Sequence, residues 1–312
     1  MMEASQTLFL MHIMHGYSFR NTIGLIKSEI DIATMVLSPK TITISFVNSS
    51  GCANHKITLY TDEFTLYQYN IRDDKGELIP EYAIAFEMDE MANSTKGIGR
   101  RDGIRLYWLA GSDKISVQPV KTSTRDPGSA GALFVKILNI EYKRYEIPSY
   151  YAAEPNVRVQ AKDFASVCTQ ANTSRCSALE IVGHPNSVTF RAMQPNNTMA
   201  AINRFTAQTE ATRTVTSQSN MNQLDNLLAN IRVSDNIYVQ PSCSLSLNVI
   251  KREDLMTVRV PIATVKALSK IHNISPDGTL IRFYFLEAKP TKLESPIGTY
   301  GLYVICLRNA RC

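Results

Sequence analysis

Residues 101–109 read Arg-Asp-Gly-Ile-Arg-Leu-Tyr-Trp-Leu, and residues 277–286 read Asp-Gly-Thr-Leu-Ile-Arg-Phe-Tyr-Phe-Leu. In both stretches an Asp-Gly pair, which favours a tight turn, stands before an Ile-Arg-apolar-aromatic-aromatic-Leu run, which favours a strand. A helix-like segment precedes each stretch, at 89–99 in the first case and at 261–273 in the second. The same order of helix, turn and strand in both halves predicts a duplicated domain.

A second pair of segments repeats with nearly the same spacing. A helical pattern opens at Phe19, and a strand-like Thr-Ile-Ser-Phe run ends at Phe46. Another helical pattern opens around Phe164, and a Ser-Val-Thr-Phe run ends at Phe190. The two separations are 27 and 26 residues. Each half is therefore predicted to run helix, strands, helix, strands.

The composition is that of a globular protein. The 312 residues suffice for two domains of about 150 residues each, and 44% of them are hydrophobic and 20% charged. The six cysteines include no Cys-x-x-Cys pair, so we expect reduced thiols in a cytosolic or nuclear protein. The apolar run Leu8–Met14 is too short to cross a membrane and is interrupted by His12, so it predicts a first β-strand and no membrane association.

Turn residues and apolar periodicity predict the element boundaries. Apolar positions at 19, 23, 26, 30 and 33 predict a helix over 18–33, with Ser18 as its N-cap. Pro261 is predicted at the first position of the last helix. The predicted domains are 1–141 and 157–312, with a connector at 142–156 and an insertion near 207–245.

Residues of catalytic and metal sites do not occur in useful patterns. The five histidines are scattered, and the sequence contains neither His-x-x-x-His nor Gly-x-Ser-x-Gly. The stretch Gly97–Gly103 follows a helix-like segment instead of preceding one, and it lacks the Lys-Ser/Thr of a P-loop. We therefore predict no enzymatic activity, no cofactor and no metal.

The predicted helices carry cations on their outward faces. Arg20 and Lys27 are seven residues apart on the first helix, and Lys266 and Lys270 are four apart on the last, so each pair shares one face. The other two helices add cations at or just beyond their ends, namely Lys96, Arg100, Lys162 and Arg175. Each helix alone fits an ordinary solvated amphipathic helix, but four with the same bias indicate a shared basic surface. Such a surface suits a phosphate backbone bound without base specificity, and the net charge of +5 agrees with a polyanionic partner.

With these features the chain resembles the sliding-clamp family, the DNA polymerase processivity factors of the proliferating cell nuclear antigen type. The resemblance covers residues 8–206 and 256–308 and is one of pattern and order, with no single diagnostic motif. The closest stretches are Phe19–Lys27, Phe86–Leu106, Leu133–Glu141, Ile147-Pro148, Val157–Val167 and Thr299–Val304. The resemblance implies an α+β fold of duplicated sliding-clamp (processivity fold) domains, each with two helices on curved antiparallel sheets. It also implies a head-to-tail homotrimeric ring around double-stranded DNA.

The resemblance implies which residues contact DNA without reading its sequence. Family channel positions are matched by basic residues on the first, second and fourth helices. On the third helix, however, Ser166 and Thr169 stand where the family has arginines, and Asn93 replaces a lysine on the second. Nearby cations are expected to compensate. The predicted DNA-binding set is Arg20, Lys27, Lys96, Arg100, Lys162, Arg175, Lys266 and Lys270.

Two further surfaces follow from the resemblance. A pocket between the connector and the C-terminal tail would receive a short aromatic-aliphatic peptide of a partner protein, although its residues also fit the core of strands. The predicted pocket residues are Phe46, Ile147, Pro148, Pro290, Tyr303, Val304 and Ile305. Ring closure would pair one edge strand of each domain with a neighbouring subunit. The predicted interface residues are Leu133, Phe134, Val135, Ala201, Ile202 and Phe205.

Three roles are compatible with these features. The first is a ring clamp whose partners are DNA polymerase, other replication and repair proteins with clamp-binding motifs, and a clamp loader. The second is a monomeric or dimeric factor that grips DNA by one basic face, as some viral processivity factors do. The third is a clamp-derived checkpoint or transcription subunit that mainly recruits proteins. The long insertion implies a divergent source such as a large DNA virus, so we expect the nucleus or, for a viral protein, a cytoplasmic replication site.

Overall fold

The computed structural model describes residues 7–121, 131–140, 147, 154–206, 256–287 and 289–308. Within these residues the chain forms four α-helices, and all strand pairs are antiparallel, in three sheets. The α+β class predicted from the sequence is confirmed.

The elements of the two halves follow one another in the same order, except that β5 of the first half has no counterpart in the second. The first half contains β1 (Thr7–Ile13), α1 (Gly16–Lys27), β2 (Ile32–Leu37), β3 (Thr41–Val47), β4 (Ala53–Tyr60), β5 (Leu66–Tyr69), β6 (Tyr82–Glu87), α2 (Met88–Thr95), β7 (Gly103–Leu109), β8 (Lys114–Val120) and β9 (Leu133–Lys136). The second half contains β10 (Val157–Gln160), α3 (Ala161–Thr173), β11 (Ala178–His184), β12 (Ser187–Met193), β13 (Met199–Thr206), β14 (Met256–Pro261), α4 (Ile262–Leu268), a 3₁₀ turn (Ile271–Asn273), β15 (Leu280–Tyr284), β16 (Thr291–Ile297) and β17 (Gly301–Leu307).

The sheet topology repeats between the halves. The strand order β6-β2-β3-β4 of the first half corresponds to β14-β11-β12-β13 of the second, and β1-β7-β8-β9 corresponds to β10-β15-β16-β17. One eight-stranded sheet joins the halves, because β4 pairs with β17 from Ala53–Leu307 to Leu59–Gly301. The repeated topology agrees with the duplication that the sequence predicts.

The helices lie on the sheets through their apolar faces. Phe19, Ile23 and Ile26 of α1 are buried, at the spacing of one helix face. In the second half the Phe164 ring of α3 lies 5.5 Å from both the Phe190 ring of β12 and the Phe283 ring of β15. These two strands belong to different sheets, so α3 fills the space between them.

The first helix is shorter than predicted. It begins at Gly16, its N-cap position is His15 with no side-chain cap, and Ser18 lies inside it. It ends at Lys27, where Ser28 donates a hydrogen bond to the Leu25 carbonyl over 2.6 Å. The strand β2 follows at once, so Ala33 is buried in a sheet and not on a helix. The helical spacing continues across the turn by coincidence.

The predicted Asp-Gly turn is present at Asp277-Gly278 but not at Asp102-Gly103. Gly278 has φ +76°, which glycine adopts readily, whereas Gly103 is a strand residue of β7 paired with Val120. The Asp102 carbonyl accepts a hydrogen bond from the Gly16 amide over 3.0 Å. A Cβ on Gly16 would lie 2.8 Å from the Gly103 carbonyl carbon, so this close approach requires a glycine.

Other boundaries also differ from the prediction, and some lie beyond what the structure describes. Pro261 ends β14 and occupies the N-cap position of α4, which begins one residue later. Of the predicted connector, Ile147 and 154–156 are described, whereas the insertion at 207–245 lies outside the described residues. The domain limits stay a prediction, placed between the end of β9 and the start of β10.

Candidate nucleic-acid interface

Four of the predicted DNA-binding residues line one groove. Arg20 and Lys27 of α1, Lys96 at the end of α2 and Lys270 after α4 surround a groove of about 370 Å³, together with Asn21, Asn93 and Asn273. The groove crosses the boundary between the two halves, and the Asn21 amide donates a hydrogen bond to the Asn273 carbonyl over 2.9 Å. Cations that are far apart in sequence therefore share one concave surface with amide donors.

The groove holds its cations in different ways. The Arg20 guanidinium donates a hydrogen bond to the Ile98 carbonyl over 2.7 Å, which fixes the side chain between α1 and the end of α2. Lys27 forms an ion pair with Asp89 of α2, so part of its charge is neutralised. No such ion pair involves Lys96 or Lys270 among the residues that the structure describes. The positive potential of the groove therefore rests mainly on Arg20, Lys96 and Lys270.

Arg100 extends the basic surface beside the first helix. Its guanidinium lies 5.9 Å from the centroid of the Tyr17 ring, and that of Arg20 lies 5.8 Å from the same centroid. Hydrogen bonds from Asn21 and Arg100 lower the pKa of the Tyr17 hydroxyl. The aromatic ring therefore supports two cations at the rim of the groove.

The predicted cations of the second half do not gather in the same way. A second groove, of about 580 Å³, is lined on α3 mainly by uncharged residues: Ala165, Ser166, Thr169, Gln170 and Thr173. Lys162 and His272 complete its lining, and Lys162 lies 3.3 Å from the Asp277 carboxylate. Arg175 follows α3 with φ +52°, and Lys266 is exposed on α4; neither lines either groove.

The helices form a connected layer under both grooves. α1 contacts α2 and also the 3₁₀ turn that follows α4, and α3 contacts both α4 and that turn. The cations of this layer lie on α1, at the end of α2 (Lys96) and after α4 (Lys270), whereas the first turn of α2 carries Asp89 and Glu90. The face of α3 that lines the second groove is nearly neutral. The compensation expected from Lys162, Arg175 and Lys266 therefore does not produce a second basic groove in the described residues.

Three of the predicted pocket residues lie in the core. Tyr303 and Ile305 of β17 have no exposed surface, and Phe46 of β3 is 5% exposed. The Phe46 ring stacks on the His55 ring at 4.5 Å, and the Tyr303 hydroxyl lies 2.6 Å from His55 Nδ1. These side chains are buried and cannot contact a partner peptide in this conformation. Ile147, Pro290 and Val304 are half-buried and remain the candidates for a docking surface, and Pro148 lies outside the described residues.

A cluster of buried polar residues next to Phe46 and Tyr303 was not predicted from the sequence. Asn48, after β3, donates a hydrogen bond to the Thr264 hydroxyl of α4 over 2.9 Å. Burial lowers the pKa of His55 to about 3 and raises the pKa of Glu29 to about 7. A signal was present for His55, because it stands two residues before Ile57 in an alternating strand and so shares its inward face.

The predicted interface strands, β9 and β13, lie at the edges of their sheets. β9 is the last strand of the five-stranded sheet, and β13 is the first strand of the four-stranded sheet. On β9, Leu133 and Phe134 are 48% and 60% exposed, whereas Val135 is buried. On β13, Ala201 and Phe205 are buried against the helices and Ile202 is half-buried. Both edges are thus placed to pair with another strand, although half of the predicted side chains face the core.

Other site types find no support in the described residues. No group of three or more His, Cys, Asp and Glu side chains in the described ranges could hold a metal ion. Cys52, Cys168, Cys176 and Cys306 are buried. Across the part of the chain that the structure covers, no helix is both long and apolar enough to span a membrane.

Comparison with known proteins identifies the fold through structure and not through sequence. No protein-family model matches the chain, and no curated protein does either. The crystal structure of proliferating cellular nuclear antigen from Entamoeba histolytica is similar with a TM-score of 0.66, at 11% identity over 97% of this chain and 98% of that one. The PCNA2–PCNA3 complex from Sulfolobus tokodaii is similar with a TM-score of 0.64, at 10% identity over 96% and 98%. The chain therefore has the sliding-clamp fold of the proliferating cell nuclear antigen type.

Proposed function

We propose that this protein is a subunit of a ring-shaped DNA sliding clamp, a processivity factor without enzymatic activity. The proposal rests mainly on which strands pair inside the chain and which lie at sheet edges. Inside the chain, the last strand of the second half, β17, pairs with the fourth strand of the first half, β4. The corresponding strands of the other halves, β9 and β13, lie at sheet edges, as do β5, β6, β10 and β14 among the described strands. Of these edge strands, β9 and β13 are the two whose counterparts pair inside the chain.

The repeated topology makes a head-to-tail arrangement the natural use of these edges. If β9 of one copy pairs with β13 of the next, the contact between copies repeats the contact between halves. A heterologous contact of this kind gives a closed ring when its rotation closes, and three copies with two halves each would give pseudo-sixfold symmetry. Free strand edges are otherwise an aggregation liability, which supports pairing as their purpose.

The basic groove fits the inner surface of such a ring. Arg20, Lys96 and Lys270 would contact phosphates of double-stranded DNA without reading bases, so the contacts could shift along the duplex. A closed ring stays on DNA for topological reasons and raises the local concentration of a bound polymerase. DNA polymerase, other replication and repair proteins with clamp-binding motifs, and a clamp loader are the proposed partners. The nucleus, or the cytoplasmic replication site of a large DNA virus, is the proposed location.

Solution mass tests the assembly, and DNA topology tests the mechanism. Light scattering should give a mass near three times the 34.9 kDa of the chain. After loading, the protein should persist on closed circular DNA in high salt and leave when the circle is cut. A stable monomer that leaves circular and linear DNA equally fast would contradict the ring. That result would favour a factor that grips DNA by its basic groove.

A further inference from the structure

The outer edge of β9 is partly occupied by the chain itself. The backbone amide of Lys136 donates a hydrogen bond to the Glu90 carboxylate, on the first turn of α2, over 2.9 Å. Two residues later, the Leu138 amide donates to the Ala85 carbonyl of β6 over 2.8 Å. Both bonds use positions that a neighbouring strand would need.

The ladder geometry shows which positions stay open. Val135 is paired with Ile115 of β8, and the Ile137 amide donates a hydrogen bond to the Asp113 carbonyl over 2.8 Å. The backbone N–H and C=O groups of the odd-numbered residues therefore point towards β8. In an antiparallel ladder successive residues direct their backbone groups to opposite sides. The backbone groups of Phe134 therefore lie on the outer edge with those of Lys136. Among the described residues, no hydrogen-bond partner is placed against the backbone groups of Phe134, whereas the Lys136 amide is bound by Glu90.

We infer that Glu90 caps the outer edge of β9 and limits how far a β13 strand from a second copy of this chain can pair with it. The inference rests on the proposed function for the identity of the partner. In this arrangement the neighbouring strand pairs at and before Phe134, and Glu90 competes for the amide of Lys136. Phe134, 60% exposed, is the side chain nearest to the last open position and anchors the contact.

The cap makes the contact between copies shorter than the contact between halves. The internal pairing of β4 with β17 extends over seven residues on each strand. β13 offers eight residues, but β9 has four, of which Lys136 is capped. Since ladder hydrogen bonds add to stability, an assembly of these chains should open between copies and not between halves.

Self-association of Glu90→Ala tests the cap. Sedimentation velocity should show a dissociation constant per contact roughly three- to tenfold lower than that of the wild type, the effect of one additional net hydrogen bond. Glu63→Ala, which removes another exposed carboxylate from the turn after β4, is the matched control and should leave the constant unchanged. Hydrogen exchange of the Lys136 amide should be slower in the assembled variant than in the assembled wild type.

The outcomes separate this inference from the proposed ring. Equal constants for Glu90→Ala and Glu63→Ala in a trimeric protein would overturn the cap and leave the ring intact. A monomeric wild type with an associating Glu90→Ala would support the cap and contradict a stable ring. Monomers throughout, or weaker association of Glu90→Ala, would overturn the cap. Phe134→Ala should weaken association in every case in which the edge is used.

Discussion

The side-chain amide of Asn48 donates a hydrogen bond to the hydroxyl of Thr264 over 2.9 Å, across 216 positions of sequence. Both residues are buried, and they join the end of β3 to α4. The side-chain oxygen of Asn48, Oδ1, also accepts a hydrogen bond from the Ala53 backbone amide over 3.0 Å. The two halves are therefore tied by side chains as well as by the continuous sheet.

Thr264→Val should destabilise the protein because it removes the hydroxyl that accepts one of the hydrogen bonds of the buried Asn48 amide. We expect the free energy of unfolding to fall by about 1–3 kcal/mol, the cost of an unsatisfied buried donor. Chemical denaturation measures it. Thr65→Val, at an exposed position, is the control. Equal stability of the two variants would show that this bond does not tie the halves together.

Glu29→Gln should change how stability depends on pH. Burial raises the pKa of Glu29 to about 7, from 4.5 for an ordinary glutamate, while a hydrogen bond from Asn48 and the charge of Lys270 oppose the rise. Between pH 4.5 and 7 the unfolded chain loses a proton that the folded chain retains. The wild type therefore loses stability as the pH rises through this window, and the penalty is complete above pH 7.

The stability of Glu29→Gln relative to wild type should thus grow from pH 5 to pH 8, by up to about 3 kcal/mol at about 1.4 kcal/mol per pKa unit. Burial lowers the pKa of His55 to about 3, so the folded protein keeps this side chain neutral. The unfolded chain binds a proton at His55 below pH 6.5, and stability therefore falls with the pH in the variant and the wild type alike. Glu63→Gln serves as the exposed control. Parallel stability curves for wild type and Glu29→Gln would refute the raised pKa.

Lys27→Ala combined with Lys270→Ala should weaken DNA binding without unfolding the protein. Each lost phosphate contact should make the slope of log K against log salt concentration less steep by about 0.9. The slope of the double variant should therefore be less steep by up to about 2. The decrease should fall short of this limit because Lys27 is paired with Asp89. Lys40→Ala with Lys56→Ala removes the same charge away from the groove. An equal loss of affinity in both double variants would argue against the groove.

Ser166→Arg combined with Thr169→Arg should strengthen DNA binding by making the neutral groove on α3 basic. Both side chains are exposed and line that groove, so long cations can be accommodated there. We expect higher affinity and a steeper salt dependence, by up to about 0.9 per added contact. Ser166→Gln with Thr169→Gln adds length without charge and should have no effect. Unchanged affinity of the arginine variant would place the α3 face away from DNA.

Local periodicity was sufficient to predict most elements and the cations of the first two helices, whereas the class of fold was predicted from the family resemblance. Arg20 and Lys27 are on one outward face because α1 buries Phe19, Ile23 and Ile26 on the other, and this spacing is legible in sequence. The end of α1 at Lys27 could not be predicted from this spacing, because the buried Ala33 continues it after the chain has entered β2. The sequence also showed that Ser166 and Thr169 leave one face of α3 uncharged. It did not show that this face lines a separate, nearly neutral groove.

The repeated order of helices and strands follows from local sequence, since helix and strand periods depend on residues within a few positions of one another. Long-range packing is needed to bring Arg20, Lys96 and Lys270 into one groove and to pair β4 with β17 while β9 and β13 lie at sheet edges. It also decided that Phe46 and Tyr303 face inward. Alternation along a strand separates two faces but does not say which one the helices cover, because that depends on segments hundreds of residues away.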